Sequence, residues 1–152
     1  MSRGSGAAIV GIGQTEFSKN SGRSELQLAA EASRAALEDA GIDPADVDGM
    51  ITFTLDSSDE IGLSRCLGVR DLAYATRIPG GGAASVATVA QAMAVVESGL
   101  ADFVLIWRAM NERSAYRFGQ PIVPPGGGLA SHASAMRTQA LPPSGIRSSL
   151  KS

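Results

Sequence analysis

Across 152 residues the chain carries one cysteine, one histidine and one tryptophan, and aromatic residues make up only 5%. The lone Cys66 excludes an intramolecular disulfide, and together with His132 it makes too small a ligand set for zinc, so no metal is expected. Basic residues are neither clustered nor interleaved with aromatics, and the net charge is -2, which argues against a nucleic-acid surface or an anionic membrane surface. No apolar run approaches the roughly 18 to 20 residues of a membrane span. The opening Met1-Ser2-Arg3-Gly4 has no apolar stretch of the signal-peptide kind, so the expected location is the cytoplasm.

What is present is small and apolar. Hydrophobic residues reach 44% against 18% charged, with 18 glycines, enough for one compact domain that packs helices and backbones closely in place of large side chains. Ala7–Ile12 is a short apolar run interrupted by Gly11, which fits a strand buried on both faces of a parallel sheet. Ser24 predicts a helix start, with Gln27 placed for a capping box, Glu25 at the positive end of the dipole and Gly41 at the far end. Leu26, Ala29, Ala30, Leu37 and Ala40 lie near one stripe of that helix, interrupted once by Ser33. Asp43-Pro44-Ala45-Asp46 predicts a turn of helix, residues 49–54 a strand, 59–67 a short helix ending at Gly68, 72–78 a strand and 102–107 a fourth strand. Strands alternating with helices imply an α/β domain over residues 1–113, a mostly parallel sheet with helices on both faces. Residues 114–152, broken by Pro121, Pro124, Pro125 and Gly126-Gly127-Gly128, follow no period and read as an irregular tail of the kind truncation or an altered reading frame leaves.

The most informative segment is Gly80-Gly81-Gly82 with the following Ala83–Ser98, helical in pattern and uncharged before Glu97. Such a helix lacks a solvent face, so it is expected to be enclosed on every side, its first N–H groups aimed at whatever the glycines admit. A buried reactive centre and a tight structural turn both satisfy that pattern. Gly80, Gly81, Gly82, Ala83 and Ser85 are therefore the candidate substrate-binding residues. No base is identifiable for Ser85, whose hydroxyl is expected to bond back to the preceding turn. Gly11-Ile12-Gly13 lacks the third glycine of a dinucleotide loop and lies too far from the helix at Ser24 to hold a pyrophosphate. Cys66 reads as a buried structural thiol and His132 as a solvated tail residue.

Four stretches together resemble a protein of the thiolase superfamily, nearest its sterol carrier protein X branch: Ala8-Ile9-Val10-Gly11-Ile12-Gly13-Gln14-Thr15-Glu16-Phe17, Ala36-Leu37-Glu38-Asp39-Ala40-Gly41-Ile42, Asp46-Val47-Asp48-Gly49, and Ala90-Gln91-Ala92 followed by Glu97-Ser98-Gly99-Leu100-Ala101-Asp102. The resemblance covers residues 7–113 and implies the N-terminal half of a thiolase-like fold. Thiolases place a nucleophilic cysteine at the start of the central helix. Counted back from Gly99 that position is Gly82, and none of Gly80 to Ser85 is cysteine, so the catalytic residues are unknown and a covalent acyl enzyme is not expected.

The chain looks similar instead to thiolase-like proteins lacking that cysteine, among them aldolases that shorten steroid side chains as coenzyme A thioesters with a small partner protein. Arg108, following Trp107, resembles that branch too. The resemblance implies carbon–carbon bond cleavage or formation on an acyl-CoA of a lipid or steroid. It implies no cofactor beyond the coenzyme A of the substrate, and a homodimer or a thiolase-like partner chain with a small accessory protein. The tyrosines serving that branch would lie beyond this chain, so Tyr74 and Tyr116 are assigned to packing and to a loop. With one of two halves present, the chain alone is expected to be catalytically weak or inert. The alternative is a non-catalytic half-subunit that pairs with another thiolase-like chain.

Overall fold

A computed structural model describes residues 6–53 and 58–111. The first two helices begin and end where the sequence supplies a cap. Helix α1 (Glu25–Ala40) starts at Ser24, whose Oγ accepts from the Gln27 N–H at 3.1 Å, and stops at Gly41, which takes φ 66°. The capping box is only half made, because the Gln27 side chain donates to Glu31 at 3.0 Å and does not return to Ser24. A 3-10 turn at Pro44–Asp46 leads into β1 (Gly49–Phe53). Helix α2 (Glu60–Leu67) is capped by Asp59 and closes at Gly68, φ 88°. Strand β2 (Tyr74–Ile78), helix α3 (Ala84–Glu97) and strand β3 (Val104–Ile106) complete the described part. None of these helices is long and apolar enough to cross a membrane.

The three strands are parallel and ordered β2-β1-β3, so the chain adds β2 on one side of β1 and then crosses over to add β3 on the other. This is an α/β fold, as expected. Every residue of the central β1 is buried, which is why it reads as an unbroken apolar run. The pleat divides its neighbours. Met50 and Leu105, side by side in the ladder, join Leu28, Leu37, Leu63 and Trp107 in a core beneath α1 and α2. Ile51 and Ile106 point the other way, and α3 packs against all three strands.

The expected strand at Ala7–Ile12 is not in the sheet. Both sides of β1 are occupied, and the segment lies against α1 with Ile9, Val10 and Ile12 exposed at 76%, 60% and 77%. Its glycines are needed for that approach: a Cβ on Gly11 would stand 2.8 Å from the Ala40 Cβ, and one on Gly13 would strike the backbone of Ala32 and Ala36. The Ile12 N–H donates to the Asp39 carboxylate at 3.0 Å. The predicted tail, residues 114–152, lies outside the described residues.

One residue gathers the amino ends of all three strands. The Asp48 carboxylate accepts from the Asp102 N–H at 2.9 Å and the Phe103 N–H at 2.8 Å, fixing the entry to β3. Its own N–H donates to the Phe103 carbonyl at 3.2 Å, and its carbonyl accepts from Ala73 at 2.8 Å and Tyr74 at 3.0 Å, fixing the entry to β2. At the opposite end, Arg77 of β2 donates to Glu60 of α2 at 2.8 Å. The Arg77 hydrogen bond holds the Glu60 carboxyl below its ordinary value near 4.5.

Replacing Asp48 by alanine is expected to cost about 2–3 kcal/mol, because two amide donors lose a charged acceptor, and asparagine about half of that. Thermal melts followed by circular dichroism test this; an alanine variant melting with the parent would show that the clamp carries no stability. For Glu60 the folded value is lowered, so its stabilisation is complete above the unfolded value and is lost as pH falls through 4.5. As the pH falls below 4.5 the parent should therefore lose more stability than Glu60→Gln. Identical losses would remove the pair from the acid response.

Candidate functional site

In a parallel sheet whose order reverses at one strand, ligands collect at the carboxyl ends of the strands. That end carries the glycine turn after β2 and Trp107-Arg108 after β3. Gly80 takes φ 143°, and a Cβ there would meet the Ala84 Cβ at 3.3 Å, so its backbone demands glycine. Gly81 and Gly82 are different: neither has a positive φ and nothing lies within 4 Å of an added Cβ. The space before them is open.

The turn itself is tight. Ala84, Ser85 and Val86 donate their N–H groups back to the carbonyls of Gly81, Gly82 and Ala83 at 2.9, 3.3 and 3.2 Å. The Ser85 hydroxyl donates to the Gly82 carbonyl at 2.7 Å, as expected for a side chain that closes its own turn. Ala83 provides no side-chain cap, and the amides of Gly81, Gly82 and Ala83 take no acceptor among the described residues. All five candidates, Gly80, Gly81, Gly82, Ala83 and Ser85, are brought together on one exposed turn.

The expectation that α3 is enclosed on every side is not met among the described residues. Its buried residues, Ala84, Thr88, Ala92 and Val95, form one stripe toward the strands, while Val86 and Met93 are 73% and 45% exposed. The helix has an apolar second face because its sequence is apolar all round, yet the described residues cover only the first. Cys66 also departs from expectation. It is exposed on α2, on the flank of the Leu63 and Leu67 stripe that fills the core.

On the α1 and α2 face of the same strand ends runs a buried polar chain that sequence reasoning missed. The Thr52 hydroxyl donates to the Trp107 carbonyl at 2.9 Å, and the Trp107 indole N–H donates to the Ser58 hydroxyl at 2.8 Å. A hydroxyl in the middle of a fully buried strand was the available signal, since such a group requires a partner. Arg108 lies over the Phe53 ring at 5.0 Å. Tyr74 accepts from the Gln91 side chain at 2.9 Å and so ties β2 to α3, a packing role as expected. Tyr116 and His132 lie outside the described residues, within which no group of three or more His, Cys, Asp or Glu side chains is placed to hold a metal.

Comparisons with known proteins agree with this architecture. No family model matches the chain. Over 114 residues, 75% of its length, it is 57% identical to a 17-hydroxy-3-oxo-4-pregnene-20-carboxyl-CoA lyase of Mycobacterium tuberculosis, and it spans only 30% of that protein. Among solved structures it is similar to the Ltp2-ChsH2(DUF35) aldolase, with a TM-score of 0.72 and 51% identity over 86% of this chain and 32% of that one. It also resembles a monomeric SCP2-thiolase like protein of Mycobacterium smegmatis, with a TM-score of 0.54 and 32% identity over 64% of this chain and 22% of that one. The chain thus shares its fold with thiolase-like proteins and spans about a third or less of the length of the relatives it matches.

Proposed function

We propose that this chain is part of a thiolase-like lyase that cleaves a carbon–carbon bond in a steroid acyl-CoA, by retro-aldol chemistry and without a cysteine nucleophile. The observation that carries the reading is the 57% identity to a pregnene carboxyl-CoA lyase, joined to glycine, not cysteine, at position 82. In a 17-hydroxy-20-carboxyl-CoA ester the hydroxyl stands on the carbon β to the thioester carbonyl. A base takes the hydroxyl proton, the bond between the α and β carbons breaks, a ketone leaves, and the electron pair becomes the enolate of the shortened thioester, which is then protonated at its α carbon. No step needs sulfur. The amides of Gly82 and Ala83, with open space before them, suit the enolate oxygen. The turn itself, Gly80 to Ser85, carries no His, Asp, Glu, Lys or Tyr side chain, and Tyr74 lies at the other, amino end of β2. The acid and base would thus come from the remaining two-thirds of such an enzyme, and a small accessory chain of the DUF35 kind would complete it.

The exposed apolar face of α3 favours a second reading, a half-subunit that pairs with another thiolase-like chain over Val86 and Met93. Size-exclusion chromatography separates the two states, and a clean monomer speaks against pairing with a second copy.

The chain alone, given a 17-hydroxy steroid 20-carboxyl-CoA, is expected to release no ketone. Lyase activity should arise when a chain corresponding to the rest of the relative is co-expressed with it; robust turnover by the isolated chain would refute an incomplete site. Gly82→Cys should fold and melt within about 2 °C of the parent, because nothing crowds the new side chain. At pH 7 its thiol should alkylate about tenfold faster than Cys66 of the parent, as the amides of the helix start favour thiolate. Equal rates would show that the turn does not attract negative charge.

A further inference from the structure

Among the described residues the outer edge of β3 has no strand beside it, since the sheet runs β2-β1-β3 and ends there. Its bonds to β1 run through alternate residues: the Trp107 N–H donates to the Ile51 carbonyl at 3.3 Å, and the Phe103 carbonyl accepts from the Gly49 N–H at 3.1 Å. Backbone groups alternate from side to side along a strand, so the N–H and C=O of Val104 and Ile106 face the free edge. A cavity of about 810 Å³ opens there. Residues 7–12 form its far side, α1 lines it on one face of the sheet through Ala32 and Ala36, and α3 lines it on the other through Thr88 and Val89. Gly11 and Gly13 set the far segment close on α1. Yet within residues 7–12 only the Ile12 amide has an acceptor among the described residues.

We infer that this cavity is an open strand position, filled by an extended segment of another chain that pairs with Val104 and Ile106 on one side and with residues 7–12 on the other. A sheet edge, a facing extended segment and a helix on each face are the surroundings of an interior strand, and such a strand is apolar on both faces. Its occupant is therefore an unbroken apolar run of about five residues. Residues 112–152 contain none: their apolar residues come at most in pairs, and Ile122-Val123 is bounded by Pro121 and Pro124, which cannot donate to a ladder. A second copy would supply such a run only by pulling apart its own packed segments. That leaves a different chain, and, resting on the lyase reading, we assign it to the chain that supplies the rest of such an enzyme. The strand expected at residues 7–12 then joins the sheet through this new neighbour.

The full chain, isotope-labelled, is titrated with a nonapeptide in which five alternating valines and isoleucines lie between pairs of lysines. Amide exchange is followed by NMR, together with the emission of Trp107, which lines the cavity. Saturable binding is expected, with exchange at Val104 and Ile106 slowed about tenfold or more. The same peptide with proline at its centre loses a ladder donor and should bind about tenfold more weakly. Ile106→Pro should abolish binding while Ile106→Ala keeps most of it; circular dichroism checks each fold, and the proline peptide carries the same test where the proline variant does not fold. No saturable binding, equal binding of the two peptides, or protection confined to the outer face of α3 would each overturn the proposal. So would Val104 and Ile106 amides already slow in the chain alone, whether covered by its own residues 112–152 or by a second copy. In a complex with the co-expressed rest of the relative, turnover with these two amides still exchanging fast would remove the strand position and leave the lyase reading. Protected amides in a complex that releases no ketone would do the reverse.

Discussion

The amino ends of three parallel strands present unpaired amides that no neighbouring strand can satisfy, and Asp48 satisfies them. Its carboxylate holds the turn into β3, its carbonyl holds the start of β2, and its own amide returns to Phe103. A parallel sheet built by crossover connections has no hairpin to align its strands. Here alignment comes from one charged side chain beside the central strand, and the register Gly49↔Tyr74 and Gly49↔Val104 follows from it. The opposite end is then free to carry function, because the strands are aligned elsewhere.

At that carboxyl end the structure spends its buried hydrogen bonds on position. Thr52, Trp107 and Ser58 join β1, β3 and the segment before α2, and Arg77 ties α2 to β2. These contacts fix the strand ends and α2 without filling the space before the glycine turn. Gly80 is demanded by its backbone, whereas Gly81 and Gly82 face openness. The absence of side chains there matters to whatever occupies that space, not to the turn's own geometry. The same holds for α3, whose inward stripe completes the sheet and whose outward face is apolar and bare among the described residues.

The caps were legible because they act over three or four residues: Ser24 with Gln27, Asp59 before α2, and the glycines at 41 and 68 each answer to backbone groups next to them in the chain. The central strand was legible because burial on both faces leaves an unbroken apolar run. Ala7–Ile12 shows the same kind of run and yet lies outside the sheet, since membership depends on a vacant ladder position and not on the segment's own preference. Cys66 misled for a related reason: the period of a short helix does not say which of its faces meets the core.

By itself, then, the sequence determined the α/β alternation, the helix ends, the tight glycine turn with Ser85 bonded back into it, and the missing sulfur at position 82, all properties of residues close together in the chain. The tertiary structure alone decided that Asp48 would anchor residues some fifty positions away, that Thr52 would meet Trp107, that Arg108 would stack on Phe53, and which face of α3 would turn toward the strands. Such contacts depend on which surfaces remain after the strands have taken their order, and one-dimensional patterning carries no record of that order.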